Sequence, residues 1–364
     1  MPLSIGIVGL PNAGKSTLFN ALTTAGARVA SFPFTTIEPH HGIAPVPDPR
    51  LGAVAAITHP DRVVPAAVEF VDVAGLVRGA AGGEGLGNQF LAHLRDVDAL
   101  AHVVRCFRAP DVPHVEGDLD PVRDIEVVET ELALADLATV DRELERAQGR
   151  IKAHDPAAAE ELASLHTVRG WLQRGVPVRA QTADESLSRV LRPLRLLTAK
   201  PVLYVANAAD TDLPDAAAAA PVRRYAAEAQ SSVITLSAEL ESEVAALPAV
   251  EAREFLAAYG LSAPGRDRLM RAAYDLLNLI SFFSTASREV RAWPVVRGTK
   301  APQAAGAIHT DMERGFIRAE VIPWDTLTQT GSLQQARERG VLRMEGRDYE
   351  IRDGDVIYFH FTAG

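Results

Sequence analysis

Residues 9–17 constrain this chain more than any other stretch. They read Gly9-Leu10-Pro11-Asn12-Ala13-Gly14-Lys15-Ser16-Thr17, and the first eight match G-x-x-x-x-G-K-[ST]. A β-rich apolar run, Ile5 to Val8, comes before them. After them, Thr17 to Leu22 places Leu18, Phe19 and Leu22 on one helical face. Strand, glycine loop and helix is the setting this motif needs. Glycines let backbone N–H groups approach phosphates, and the helix N-terminus favours an anion. The expected phosphate contacts are Asn12, Ala13, Gly14, Lys15, Ser16 and Thr17. Lys15 should reach the β and γ phosphates, and the Ser16 hydroxyl should ligate Mg2+. The implied fold class is α/β.

Many nucleotide-binding families share such a loop, and three later features narrow the choice. In Glu69-Phe70-Val71-Asp72-Val73-Ala74-Gly75 an apolar strand ends in an Asp that can hold the metal through water. The N–H of Gly75 can then meet the γ-phosphate, which is the D-x-x-G switch pattern of GTPases. Phe32-Pro33-Phe34-Thr35-Thr36-Ile37 lies where a switch threonine is expected. Thr36 is assigned to Mg2+, with Thr35 as the alternative. Finally, Pro201 to Ala206 reads as a strand delivering Asn207-Ala208-Ala209-Asp210, where the GTPase fold reads the base with N-K-x-D. Ser237-Ala238-Glu239 follows a further strand, like the last base-contacting loop. The candidate base contacts are Asn207, Ala208, Asp210, Ser237 and Ala238. This order of motifs fits a metabolic kinase badly.

Asp72 and Asn207 are 135 positions apart, whereas two βαβ-type steps need about 60 residues. The surplus reads as a helical hairpin, residues 120–199. Leu134, Leu137, Val140 and Leu144 recur at helical intervals, as do Leu162, Leu165, Val168 and Leu172, and Asp155-Pro156 separates the two runs. The nucleotide domain then comprises residues 1–119 and 200–280. Residues 281–364 change character: Arg288 to Trp293 alternates like a strand, and Ser332 to Arg339 reads as a short helix. Tyr349 to Phe361 reads as two strands around Asp353-Gly354. This segment looks like a separate α+β domain.

Bulk properties exclude several classes. No run of about 18 apolar residues suggests a membrane span. The short apolar start, Met1 to Val8, has no basic leader and reads as a first strand. The single cysteine, Cys106, precludes an internal disulfide and fits a reducing, cytoplasmic setting. Net charge is -10, so any RNA contact needs a local basic face. Arg288 to Arg318 offers one, with six basic residues against three acidic.

Taken in order, the motifs resemble the YchF group, or Obg-like ATPases, within the Obg branch of translation-factor GTPases. The resemblance runs nearly end to end. It is carried by Gly9 to Thr17, Phe32 to Pro39, Asp72 to Gly79, Gly83 to Phe90, Asp120 to Glu126, Ala301 to Asp311 and Glu345 to Tyr349. It implies a P-loop GTPase-like nucleotide domain, an inserted helical domain and a C-terminal β-grasp-like TGS domain. It also implies ribosome association, through rRNA and ribosomal proteins, and the chain is taken as a monomer. The family's base reader is Asn-x-x-Glu, a departure from N-K-x-D that goes with preferring ATP. Here Ala208 likewise replaces the lysine, but Asp210 is GTPase-like and could accept from guanine N1–H and N2–H. His40 stands where the family has asparagine.

Leu76 occupies the position where many GTPases place the glutamine that orients the attacking water. Leucine can neither donate nor accept, so hydrolysis should be slow. Asn12 resembles the loop asparagine of cation-dependent relatives, in which K+ sits beside the phosphates. His114 matches a histidine typical of the family and is a candidate for positioning water. Gly79 to Gly87 holds five glycines in nine residues, fit for a switch segment. The expectation is a slow ATPase, ATP favoured over GTP, whose nucleotide state controls ribosome binding. The alternative is a ribosome-binding protein in which nucleotide is mainly structural.

Overall fold

The computed structural model describes residues 3–23, 40–72, 78–79, 86–109, 112–115, 117–152, 155, 158–181, 185–285 and 288–362. Thr35, Thr36, Gly75 and Leu76 lie outside the described residues. The strands are β1 (Ser4–Val8), β2 (His40–Pro45), β3 (Arg62–Val64), β4 (Ala67–Asp72), β5 (Ala99–Arg105), β6 (Val202–Asn207), β7 (Ser232–Leu236), β8 (Leu279–Ser284), β9 (Glu289–Val296), β10 (Phe316–Pro323), β11 (Arg343–Glu345) and β12 (Asp355–Phe361). They form two six-stranded sheets. No helix among the described residues is long and apolar enough to cross a membrane.

The first compact unit holds residues 1–44 and 69–272. Its sheet runs β2-β4-β1-β5-β6-β7, and the pairs β4-β1, β1-β5, β5-β6 and β6-β7 are parallel. Every residue of β5 and β6 is buried, as expected for parallel strands covered on both faces. Of the first five helices in chain order, α1 (Lys15–Thr23), α3 (Leu86–Asp96), α4 (Pro121–Lys152) and α5 (Ala158–Gln173) belong to this unit, and α2 (Pro49–Thr58) belongs to the second. Leu94, Val128, Leu132 and Tyr204 join α3, α4 and β6 in one core.

Helices α4 and α5 form an antiparallel pair. Arg150 pairs with Glu161, and Arg169 with Asp141 at 2.7 Å, so one helix descends as the other rises. Val140 and Leu144 pack with Leu165, Val168 and Leu172, on the stripes that periodicity predicts, and Ala147 joins them. Leu134 departs from its stripe and is 46% exposed.

The second unit holds residues 45–68 and 273–364. This differs from the boundaries expected above, which place 45–68 with the nucleotide domain and begin the C-terminal domain at 281. The reason lies in pairing and charge. Strand β3 pairs in parallel with β9, Arg62 opposite Glu289. The Arg50 guanidinium, on α2, donates to Asp48 and to Asp353, each at 2.8 Å. The unit's sheet runs β11-β10-β12-β8-β9-β3, with Phe282, Phe316, Val321, Ile357 and Phe359 in its core. The two strands expected around Asp353-Gly354 reduce to one. Residues 355–361 form β12, whereas Glu350 makes only an isolated bridge to Lys300.

Candidate nucleotide site

Parallel strands deliver their carboxyl ends to one edge of a sheet, where ligands bind in open α/β folds. Here β1 leads into Gly9, β4 ends at Asp72, β5 leads into Cys106, β6 ends at Asn207, and β7 leads into Ser237. The candidate residues, scattered along the chain, therefore meet at one edge.

The phosphate loop has the backbone its glycines permit. Gly9, Asn12 and Gly14 adopt φ of 149°, 62° and 92°. A Cβ on Gly14 would stand 2.2 Å from Asn207 Nδ2, so this glycine is required by close approach as well as by φ. The buried Lys15 ammonium donates to Leu10 O at 2.8 Å, closing the loop on its own lysine. Burial lowers the Lys15 pKa to about 8, against the opposing pull of the Asp72 carboxylate.

Ser16 and Asp72 come together: the hydroxyl donates to Asp72 Oδ2 at 2.9 Å. Burial pushes the Asp72 pKa up, while Ser16 and Lys15 hold it down. Asp72 Oδ1 is buried and has no hydrogen-bond partner among the described residues. An orphaned carboxylate oxygen beside a hydroxyl is a hard-oxygen donor set that fits Mg2+.

Asn207 braces the site. Its Nδ2 donates to Ala13 O, and its Oδ1 accepts from Ala238 N–H, both at 2.9 Å. It thereby ties the phosphate loop to the Ser237-Ala238 loop. Ser237 caps the helix Ala238–Ala246, its Oγ accepting from Leu240 N–H. A cleft of about 480 Å3 opens beside these residues, lined among others by Gly14, Thr17, Asn207, Ala208, Asp210 and Ser237. Asp210 is half-buried, and its Oδ1 accepts from Thr211 N–H.

Among the lining residues not anticipated from the motifs are Phe107, Arg108 and Ala109. They follow the carboxyl end of β5, the one strand end left unused above, and that position was the available signal. Buried Arg105 holds this segment, donating to Phe107 O and to Val112 O at 3.2 and 3.0 Å. Cys106 is buried, and burial pushes its thiol up to about 12, so it is inert there.

His114 sits beside the phosphate loop, because Asn12 Nδ2 donates to the neighbouring Pro113 O at 3.1 Å. Its Nε2 lies 2.8 Å from Asp124 Oδ2 on α4, and both side chains are nearly buried. Burial raises the Asp124 pKa, and the His114 hydrogen bond opposes it. His40 is exposed at the start of β2.

Comparison with known proteins identifies the family. A family described as 50S ribosome-binding GTPase matches residues 4–135. The YchF-GTPase C-terminal family, described as a protein of unknown function, matches residues 279–362. The Ribosome-binding ATPase YchF of Haemophilus ducreyi is 47% identical over 363 residues, with 100% of both chains covered. The protein of that name from Bacillus subtilis is 45% identical over 366 residues, again with 100% of both covered. The chain belongs to the YchF family. A solved YchF GTPase from Schizosaccharomyces pombe superposes with a TM-score of 0.85 at 33% identity, covering 98% of this chain and 97% of that one. With this YchF fold and the phosphate loop described, the chain is a P-loop nucleotide hydrolase.

Proposed function

We propose that this YchF-family chain is a slow ATP hydrolase whose nucleotide state controls its binding to the ribosome. The full-length match to proteins named ribosome-binding ATPase carries the reading. The site supports it chemically. Lys15, Ser16 and Asp72 are grouped to hold a triphosphate with Mg2+, and Thr36 and Gly75 are proposed to complete that set. Bound there, Mg2+ would neutralise charge on the β and γ oxygens. Leu76 has no polar atom to orient water, which supports slow turnover.

The base end of the cleft supports ATP over GTP. Guanine presents an acceptor at O6, whereas adenine presents an amino donor at position 6. The Ala238 N–H, a donor that could meet O6, is engaged by Asn207. Ala208 brings no side-chain donor, while the carboxylates of Asp210 and Glu239 line the cleft. A carboxylate can accept from adenine's amino group, but Asp210 argues the other way, because it could accept from guanine N1–H and N2–H; the test is direct. Calorimetry should give ATP at least tenfold tighter than GTP, about 1.4 kcal/mol. Tighter GTP binding would overturn the preference. Ribosome co-sedimentation should depend on whether ATP or ADP is present and weaken with salt, as contacts from the basic stretch Arg288 to Arg318 would. Identical binding with both nucleotides would favour a purely structural nucleotide.

Asn12 and His114 are the proposed catalytic contributors. Asn12 Oδ1 has no partner among the described residues and is the proposed ligand for K+, which would offset charge developing on the γ-phosphate. His114, held by Asp124, is proposed to position water.

A further inference from the structure

Helix α4 supports two loops of the site. Asp124, in its first turn, holds His114. Seven residues on, Glu131 accepts from the Gly79 backbone N–H through Oε1 at 2.6 Å. Seven residues are about two helical turns, so both residues lie on one side of the helix, about 10 Å apart along its axis. Both residues are 3% exposed. Between and beside them Ile125, Val128 and Leu132 are buried in the unit's core, which fixes the helix against the sheet.

A buried carboxylate is costly unless hydrogen-bonded, and the Gly79 amide is one of the groups that satisfy Glu131. Gly79 follows Gly75 of the D-x-x-G pattern by four positions. Whatever holds Gly79 therefore acts close in sequence to that glycine. Phosphoryl transfer depends on positioning and electrostatics. We propose that Glu131 is a positioning residue for hydrolysis: by holding the Gly79 amide it sets the trailing end of the switch run, and so governs kcat more than nucleotide affinity. This rests on the hydrolase reading above.

The test compares the full-length parent with Glu131→Ala and Glu131→Gln. Turnover of ATP, its affinity by calorimetry, and hydrogen exchange of the peptide holding Gly79 are measured on each. Glu131→Ala should lower kcat about tenfold or more, with KM and Kd within about threefold. Its Gly79 amide should exchange about tenfold faster. Glu131→Gln keeps an acceptor oxygen and should restore both. Parent-like kcat in Glu131→Ala overturns the proposal. So does an affinity loss as large as the rate loss, or a Gln variant no better than Ala. Should Glu131→Ala fail to fold, Glu131→Asp withdraws the oxygen by one methylene and carries the same expectation. A parent that hydrolyses neither ATP nor GTP removes the hydrolase reading and this proposal together. A parent that turns over, with indifferent variants, removes the proposal alone.

Discussion

The two six-stranded sheets handle function differently. In the first, the pairs among β4, β1, β5, β6 and β7 are all parallel, so the loops after these strands emerge at one edge. Gly9, Asp72, Phe107, Asn207 and Ser237 meet there although they span most of the chain. The second sheet mixes directions: β10 is antiparallel to both β11 and β12, while β12 and β8 are parallel. Its loops leave from both edges, and what holds it is packing around Phe282 and Phe359 and the Arg50 bridge. A parallel sheet gathers the loops after its strands at one edge, whereas a mixed sheet sends them to both.

That contrast can be broken at either end. The largest effect is expected from Lys15→Ala, which removes the buried charge at the first sheet's edge. ATP affinity should fall at least a hundredfold, about 2.8 kcal/mol, with little change in melting temperature. Calorimetry showing parent-like binding would mean the loop does not hold the phosphates.

Next comes Arg50→Ala, in the second unit. Asp48 and Asp353 lose a shared, partly buried partner, which should cost about 2 kcal/mol of that unit's stability. Urea unfolding followed by tryptophan fluorescence checks it, because Trp293 and Trp324 both lie in this unit. ATP affinity should not move. An unchanged unfolding midpoint would mean that segment 45–68 is not held through Arg50.

The smallest effect sharpens the role of the first edge. At equal ionic strength K+ should raise kcat over Na+ by up to about tenfold, and Asn12→Ala should erase the difference while leaving most ATP affinity. Equal rates in both salts would leave Asn12 as a backbone element only, suited to its φ of 62°.

Some of this was local enough to read directly. The phosphate loop needs only eight consecutive residues and a strand and helix on either side, and all are present in Ile5 to Leu22. The helical pair was legible for the same reason, because Val140 and Leu144 mark a face by their own spacing. Asn207 was legible as a member of the site but not as its brace, since Ala13 and Ala238 reach it from the segments that follow other strands. Leu134 misled because periodicity identifies a face but not how far along the helix that face stays covered.

By itself, then, the sequence determined the α/β class, the phosphate loop, the order of the switch and base motifs, and the YchF kinship, all of which reside in short contiguous patterns. Tertiary structure alone decided three things. It placed residues 45–68 in the second unit through β3 and Arg50, made Phe107 to Ala109 a wall of the cleft, and set Asp124 and Glu131 beneath two separate loops. Glu131 and Gly79 are 52 positions apart and Arg50 and Asp353 are 303 apart. A hydrogen bond between such partners leaves no periodicity in either neighbourhood. It exists only once the sheets have brought the two stretches of chain together.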